Sequence, residues 1–169
     1  LRACLDSLLH QTRPAEEILV TVDGPVPQEL DAVLTEYAES ITLFRLPENC
    51  GAAIARQRSL AEVSTTFTAV MDADDVCVLH RFESQLAALA DDDLDLVGAA
   101  MYEFDGDADG APEDLIVARR PGVRTEDIAA KVKMVTPFNH PTIMMRTQLA
   151  RAVGGYRPVA LLEDYDFIA

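Results

Sequence analysis

The sequence predicts an α/β chain in which a mostly parallel, mixed sheet is flanked by helices. Two features point there. From Leu1 to Asp75, short apolar runs alternate with segments of helical periodicity over short connections, the pattern of βαβ units. The chain of 169 residues, 49% apolar and 25% charged, has the size and make-up of one globular domain with a real core. In such sheets ligands gather at the carboxyl ends of strands, so residues just after each apolar run are the first places to search for function.

Leu1, Cys4, Leu5, Leu8 and Leu9 recur at helical spacing up to Thr12-Arg13-Pro14. The chain thus opens inside a helix without an N-cap residue, and a further piece is expected upstream. Glu17 to Val22 is a nearly continuous apolar run stopped by Asp23-Gly24-Pro25, which reads as a strand buried on both faces. Leu30, Val33, Leu34, Tyr37 and Ala38 mark one face of a helix. A second strand, Ile41 to Leu46, stops at Pro47, and a helix runs from Gly51 to about Glu62. The third strand, Phe67 to Met71, leads into Asp72-Ala73-Asp74-Asp75. Past Ala90 the rhythm changes: Asp91-Asp92-Asp93 reads as a polar turn before the apolar run Leu94 to Met101, and Asp105 to Asp114 as a loop rich in Asp, Gly and Pro. Leu115 to Ala118 is expected as a short strand, Ile128 to Val135 as a helix and Thr142 to Met145 as a strand. Thr147 then caps a short helix that Gly154-Gly155 ends.

A formal charge of −15, from 29 acidic and 14 basic residues, argues against a broad nucleic-acid or anionic-membrane surface, because those need clustered Lys and Arg. Cys4, Cys50 and Cys77 have no paired spacing, so neither a disulfide framework nor a zinc site is expected, and a reducing compartment is the simpler setting. No apolar run approaches the ~20 residues of a membrane span, and no basic segment precedes an apolar stretch as in a signal peptide. The sequence reads as soluble.

Asp-x-Asp occurs six times, at 72/74, 91/93, 93/95, 105/107, 107/109 and 164/166, so position has to decide. Only Asp72/Asp74 follows directly on an apolar strand. There two alternate carboxylates can converge on a cation, and Mg²⁺ or Mn²⁺ held by one or two carboxylates plus substrate phosphates is how such ions engage a nucleotide diphosphate. The alternative is a solvated turn, with Asp75 capping the next helix. Asp105-Gly106-Asp107-Ala108-Asp109-Gly110 imitates an EF-hand opening, but the twelfth position is Ile116, so a flexible acidic loop is the better reading. Asn49-Cys50-Gly51 places small residues at a helix start, with Arg56 and Arg58 following; backbone N–H groups and guanidinium there suit a diphosphate, or the arginines simply cover the helix. His140, in Asn139-His140-Pro141-Thr142, is more often structural than catalytic in such a place. Glu163, Asp164 and Asp166 form an acidic cluster of the kind that can supply a general base.

Taken in order, these residues resemble the inverting nucleotide-sugar glycosyltransferases of family 2, which have the GT-A fold. Leu1 to Thr12 resembles the family's first helix, and Val22-Asp23-Gly24 the Asp that closes its second strand and contacts the base. Pro47 to Gly51 with Ala55-Arg56-Gln57-Arg58 resembles the segments beside the diphosphate, and Met71 to Asp75 the metal and ribose motif. Asn139 to Thr142 and Gly154-Gly155-Tyr156 resemble the acceptor side; Leu162-Glu163-Asp164-Tyr165-Asp166 resembles the motif whose Asp is the catalytic base. The resemblance implies a single GT-A-like domain over 1–169, with a nucleotide-binding part about 1–103 and an acceptor-side part about 104–169. In it Asp74 and Asp72 hold Mg²⁺ or Mn²⁺, Asp23, Arg56 and Asp72 bind the nucleotide sugar, Asp164 is the base, and His140 and Glu163 lie toward the acceptor. Implied partners are a nucleotide-diphosphate sugar and a saccharide or lipid-linked acceptor, with no nucleic acid. The implied setting is the cytoplasm, at the inner membrane face for a full-length protein.

Three departures temper the transfer. The family's first strand does not precede Leu1, Val22 stands where the first of an acid pair is usual, and the chain ends at Ala169, five residues after Asp164. A domain trimmed at both ends is therefore expected, with a central slot of the sheet empty or filled by another chain, which would make an oligomer. Two other functions compete. Phe67 to Val76 also fits the strand and Asp-x-Asp-x-Val of a haloacid-dehalogenase-like phosphatase, with Asp72 as nucleophile and Asp74 as acid/base. A non-catalytic module that only binds a nucleotide sugar is the third.

Overall fold

A computed structural model describes residues 1–91, 94–104, 115–120, 125–159 and 161–169. The Asp92-Asp93 part of the expected turn and the whole loop of Asp105, Asp107 and Asp109 lie outside these residues. The elements alternate as expected. Helix α1 (Arg2–Leu9) buries Cys4, Leu5 and Leu8 on one face. Strands β1 (Leu19–Asp23) and β2 (Thr42–Leu46) pair in parallel, Leu19 opposite Thr42 through Asp23 opposite Leu46. Helix α2 (Gln28–Glu36) makes the crossover between them. Next come α3 (Ala52–Glu62), β3 (Phe67–Ala69), α4 (Arg81–Asp91) and β4 (Leu96–Val97), then the antiparallel hairpin β5 (Met101–Phe104) and β6 (Leu115–Arg119). The chain closes with α5 (Thr125–Lys131), a 3-10 turn (His140–Thr142), β7 (Met144–Arg146), α6 (Thr147–Ala152) and α7 (Glu163–Ile168). Strand β7 lies antiparallel between β3 and β4, so among the described residues the strands form a parallel pair, β1–β2, an antiparallel three-stranded sheet, β3–β7–β4, and the β5–β6 hairpin.

Side-chain alternation divides the core into two layers. Met144 faces Cys4, Leu8, Phe82 and Leu89, from α1 and α4. Its neighbours Ile143 and Met145 face Ala53, Leu60 and Ala150, from α3 and α6, as the period of two in a strand requires. Helices thus cover both faces of the strands that carry the site.

Among the described residues β1 pairs only with β2 and β3 only with β7. A cavity of about 620 Å³ lies between their free edges, lined by Leu5, Ile18, Val20, Phe67, Ala69 and Leu86 among others. The two strands, β1 and β3, are not paired with each other, and the cavity fills the gap between them. It also explains why Leu19, Val20 and Thr21 are half-buried, with Val22 alone of the strand buried, instead of covered on both faces.

Three other expectations are corrected. The helix expected at Ile128 to Val135 starts earlier, at Thr125, where Glu126 and Asp127 suit the positive end of the helix; Met134 and Val135 lie beyond it and exposed. Thr142 belongs to the 3-10 turn and not to β7, because its hydroxyl is engaged with Asn139 O at 2.7 Å and Ala99 O at 3.1 Å. Thr147 does not cap α6: among the described residues no side chain caps that helix, and the Thr147 hydroxyl pairs with Thr68 Oγ1 at 2.7 Å.

Candidate functional site

The ends of β1 and β2 are drawn together by Gly24. With φ at +91° and a notional Cβ only 2.7 Å from the Asn49 nitrogen, this turn admits no side chain. Close approach lets the Asp23 carboxylate accept from Cys50 N–H at 2.7 Å and Gly51 N–H at 2.9 Å. Asp23 thereby fixes the loop that starts α3. Both its oxygens are engaged with this loop, and it is not among the residues lining the site cavity.

That cavity, about 820 Å³, opens at the carboxyl ends of the strands and is walled by Gly51, Arg56, Asp72, His140, Glu163 and Asp164 among others. Arg56 is its hub. One guanidinium nitrogen donates to Asp72 Oδ1 at 3.1 Å and another to Glu163 Oε1 at 3.0 Å. One side chain of α3 thus ties the end of β3 to the start of α7, across 107 residues of sequence for Glu163. Asp164 stands next to this bridge, its carboxylate accepting from Tyr165 N–H at 2.7 Å.

Beyond β3 the acids crowd. Asp75 N–H closes a turn onto Asp72 O at 3.2 Å, and burial, then the charges of Asp72 and Asp74, push the Asp75 carboxyl above the usual range. Asp74 is exposed on this turn and outside the cavity wall. Asp72 and Asp74 offer hard oxygen donors, as Mg²⁺ or Mn²⁺ prefers, and the crowding of like charges is what a divalent cation relieves. Among the described residues no group of three or more His, Cys, Asp or Glu can hold a metal by itself. A cation there needs further oxygens from its ligand.

Beneath the turn lies Arg81, which sequence reasoning missed. It is 8% exposed and donates to Val70 O at 2.8 Å and Gln85 Oε1 at 3.0 Å. Burial lowers its pKa from the ordinary value, and Asp75 is the acid whose charge it feels. Arg81 shares the buried stripe Phe82, Gln85, Leu89 of α4; a charged residue on an apolar stripe is the one signal available for it.

His140 is structural in this fold. It is 5% exposed, its Nε2 lies 2.9 Å from the Tyr156 hydroxyl, and among the described residues Nδ1 has no hydrogen-bond partner. Burial and the Arg56 charge push its pKa down to about 4, so the ring stays neutral near pH 7. Tyr156 in turn stacks on Phe167 of α7, centroids 4.3 Å apart. Gln57 holds Tyr156 from the other side, accepting its N–H at 2.8 Å. Neither Gln57 nor Tyr156 stands out in the sequence as a support for Asp164.

The strand ends thus carry acids, an arginine and a loop-to-helix turn around one cleft, an arrangement whose charges suit anionic ligands and cations. The family model for glycosyl transferase family 2 matches residues 1–154, and the chain belongs to that family. It is 34% identical over 169 residues to the amylovoran biosynthesis glycosyltransferase AmsE of Erwinia amylovora, covering 98% of this chain and 61% of that protein. It is 27% identical to an Escherichia coli UDP-Gal:alpha-D-GlcNAc-diphosphoundecaprenol beta-1,3-galactosyltransferase, covering 98% of this chain and 59% of that one. The chain therefore spans about three fifths of the length of these curated relatives. Among solved structures, S. aureus TarS 1-349 in complex with UDP superposes with TM-score 0.72 at 20% identity, over 98% of this chain and 49% of that one. The Pyrobaculum calidifontis mannosyltransferase PcManGT with GDP-Man and Mn2+ gives 0.66 at 18% identity, over 95% and 44%. These likenesses establish the GT-A fold. Family membership sets the phosphatase alternative aside. Among the described residues no helix is long and apolar enough to cross a membrane.

Proposed function

We propose that this chain carries the donor site and the base of an inverting, metal-assisted glycosyltransferase. The observation that carries this is the meeting of Arg56, Asp72, Glu163 and Asp164 around one cavity, although they come from three separate elements. The cavity takes a nucleotide-diphosphate sugar. Asp72 and Asp74 hold Mg²⁺ or Mn²⁺, which when bound neutralises charge developing on the diphosphate leaving group. Arg56 contributes its guanidinium to the same phosphates, while Asp23 acts one step removed, by fixing the loop that starts α3. Asp164 takes the proton from an acceptor hydroxyl as that oxygen attacks the anomeric carbon from the opposite face. His140, being buried and bonded to Tyr156, supports the acceptor side without touching substrate. The acceptor is a saccharide or a lipid-linked saccharide, the product a growing polysaccharide, and the setting the cytoplasm, at the membrane's inner face for a lipid-linked acceptor.

Titration of UDP and GDP with and without Mn²⁺ tests this. One of the two should bind in a Mn²⁺-dependent way, and Asp74→Ala should weaken that binding by about tenfold or more, the loss of one of two carboxylate ligands. No binding of either nucleotide, or binding that Asp74→Ala leaves unchanged, overturns the proposal.

A further inference from the structure

The cavity wall contains two described arginines, Arg56 and Arg119, and each is held by acids of the same wall: Arg56 by Asp72 and Glu163, Arg119 by Glu103. A diphosphate entering the cavity therefore meets cations that are already engaged. Asp72 has a second task in the metal pair. Among the described residues Glu163 is bonded only to Arg56, and its side chain is 19% exposed, shielded enough for the contact to escape most screening. It also begins α7, directly before Asp164.

We infer that Glu163 is a positioning residue with two opposed effects: it withholds part of the Arg56 guanidinium from the donor's phosphates, and through the same bond it fixes the helix that carries the base. This rests on the donor-site reading above. Opening the Glu163–Arg56 bond frees one guanidinium nitrogen for an anion, and nucleoside diphosphate binds more tightly. It also releases the first turn of α7, and the base is less well placed. A residue that merely stabilises the fold would weaken binding and turnover together.

The test is titration of UDP and GDP with Mn²⁺ into the wild type, Glu163→Gln, Arg56→Gln and the double variant, with turnover measured beside it. Glu163→Gln keeps an amide oxygen that accepts from Arg56 but loses the charge that strengthens the bond, so it should tighten nucleoside diphosphate binding about fivefold, a modest coupling between sites, while kcat falls about tenfold through looser placement of the base. In the Arg56→Gln background the gain in affinity should shrink below about twofold, since no guanidinium is left to release. Glu163→Asp gives a control that keeps the charge: its shorter side chain cannot maintain the 3.0 Å contact, so it too should bind more tightly. Equal gains in both Arg56 backgrounds would mark a plain charge effect and overturn the inference. So would unchanged or weaker binding in Glu163→Gln, or wild-type affinity in Glu163→Asp. A wild-type chain that binds neither nucleotide sinks the donor reading itself, a separate result.

Discussion

Gly155→Ala tests how the Asp164 end of the site is supported. Gly155 has φ of +65°, where an alanine is strained by about 1 kcal/mol. The added Cβ would lie 2.1 Å from Gln57 Oε1, so the Gln57 amide has to swing away. In moving it abandons the N–H of Tyr156, which it accepts at 2.8 Å, and a lost bond to a buried donor costs about 1–3 kcal/mol. Together these predict a destabilisation of about 2–4 kcal/mol, or about 4–16 °C in Tm for a domain of this size. Urea denaturation of the wild type, Gly155→Ala, Gln57→Ala and the double variant separates the parts. In Gln57→Ala the clash and the bond are both already gone, so Gly155→Ala should then cost only the backbone strain of about 1 kcal/mol. If the glycine substitution costs the same in both backgrounds, the Gln57 contact contributes nothing and the reasoning is refuted.

The remaining predictions concern chemistry and pH. Asp164→Asn should slow sugar transfer by about 10²–10⁴-fold, the usual worth of a general base, and leave Mn²⁺-dependent nucleoside diphosphate binding within about twofold of the wild type; parallel loss of binding would refute the assignment. His140 must stay neutral in the fold down to pH about 4, yet takes its proton near 6.5 when unfolded. The unfolded chain therefore binds more protons across that window, and stability falls by about 3 kcal/mol as pH drops from 6.5 to 4. Urea denaturation at stepped pH should show this loss diminished in His140→Gln relative to the wild type; identical slopes would mean the ring is not held neutral by burial. The donor-site titrations of Asp74→Ala and of Glu163→Gln complete the set.

The first half of the fold was legible because each element is specified locally. An apolar run with a Gly-Pro stop gives β1, and a periodic stripe gives α1 or α3. The grouping of Arg56, Asp72, Glu163 and Asp164 came from the family resemblance, since nothing local in Leu162-Glu163-Asp164 says that it returns to α3. What stayed hidden is tertiary. Thr147 looks like a cap, but Thr68 on β3 offers its hydroxyl a partner that the sequence does not show. Gln57 lies 99 residues from the backbone N–H it accepts, and Arg81 goes unnoticed in the sequence because one of the partners that hold it, Val70 O, lies on a different segment. Asp23 had the opposite history: its place at the strand end was plain, while its engagement with two backbone N–H groups depends on how closely Gly24 lets the next loop approach.

These contacts separate the groups proposed for donor binding from the one proposed for turnover. The proposed donor wall is built on strand ends and on α3, an eleven-residue helix packed into the core through Ala53 and Leu60. Asp164, the proposed base, is carried by α7, six residues long, far below the length at which a helix persists on its own. The position of Asp164 therefore depends on what holds α7: Arg56 on Glu163, Tyr156 stacked on Phe167, Tyr165 donating to Val132 O at 2.6 Å and Arg157 paired with Asp166. Two of these four, Arg56–Glu163 and Tyr165–Val132, reach across to elements distant in sequence; the Tyr156–Phe167 and Arg157–Asp166 pairs join near neighbours. Loss of Tyr156 should leave the Asp72 turn and the α3 loop intact while releasing α7, so Tyr156→Ala should lower kcat more than it raises the Kd for nucleoside diphosphate. Equal losses in both would mean that α7 and the donor wall form one cooperative unit, and that Arg56 couples them more tightly than two half-buried ion pairs ordinarily do.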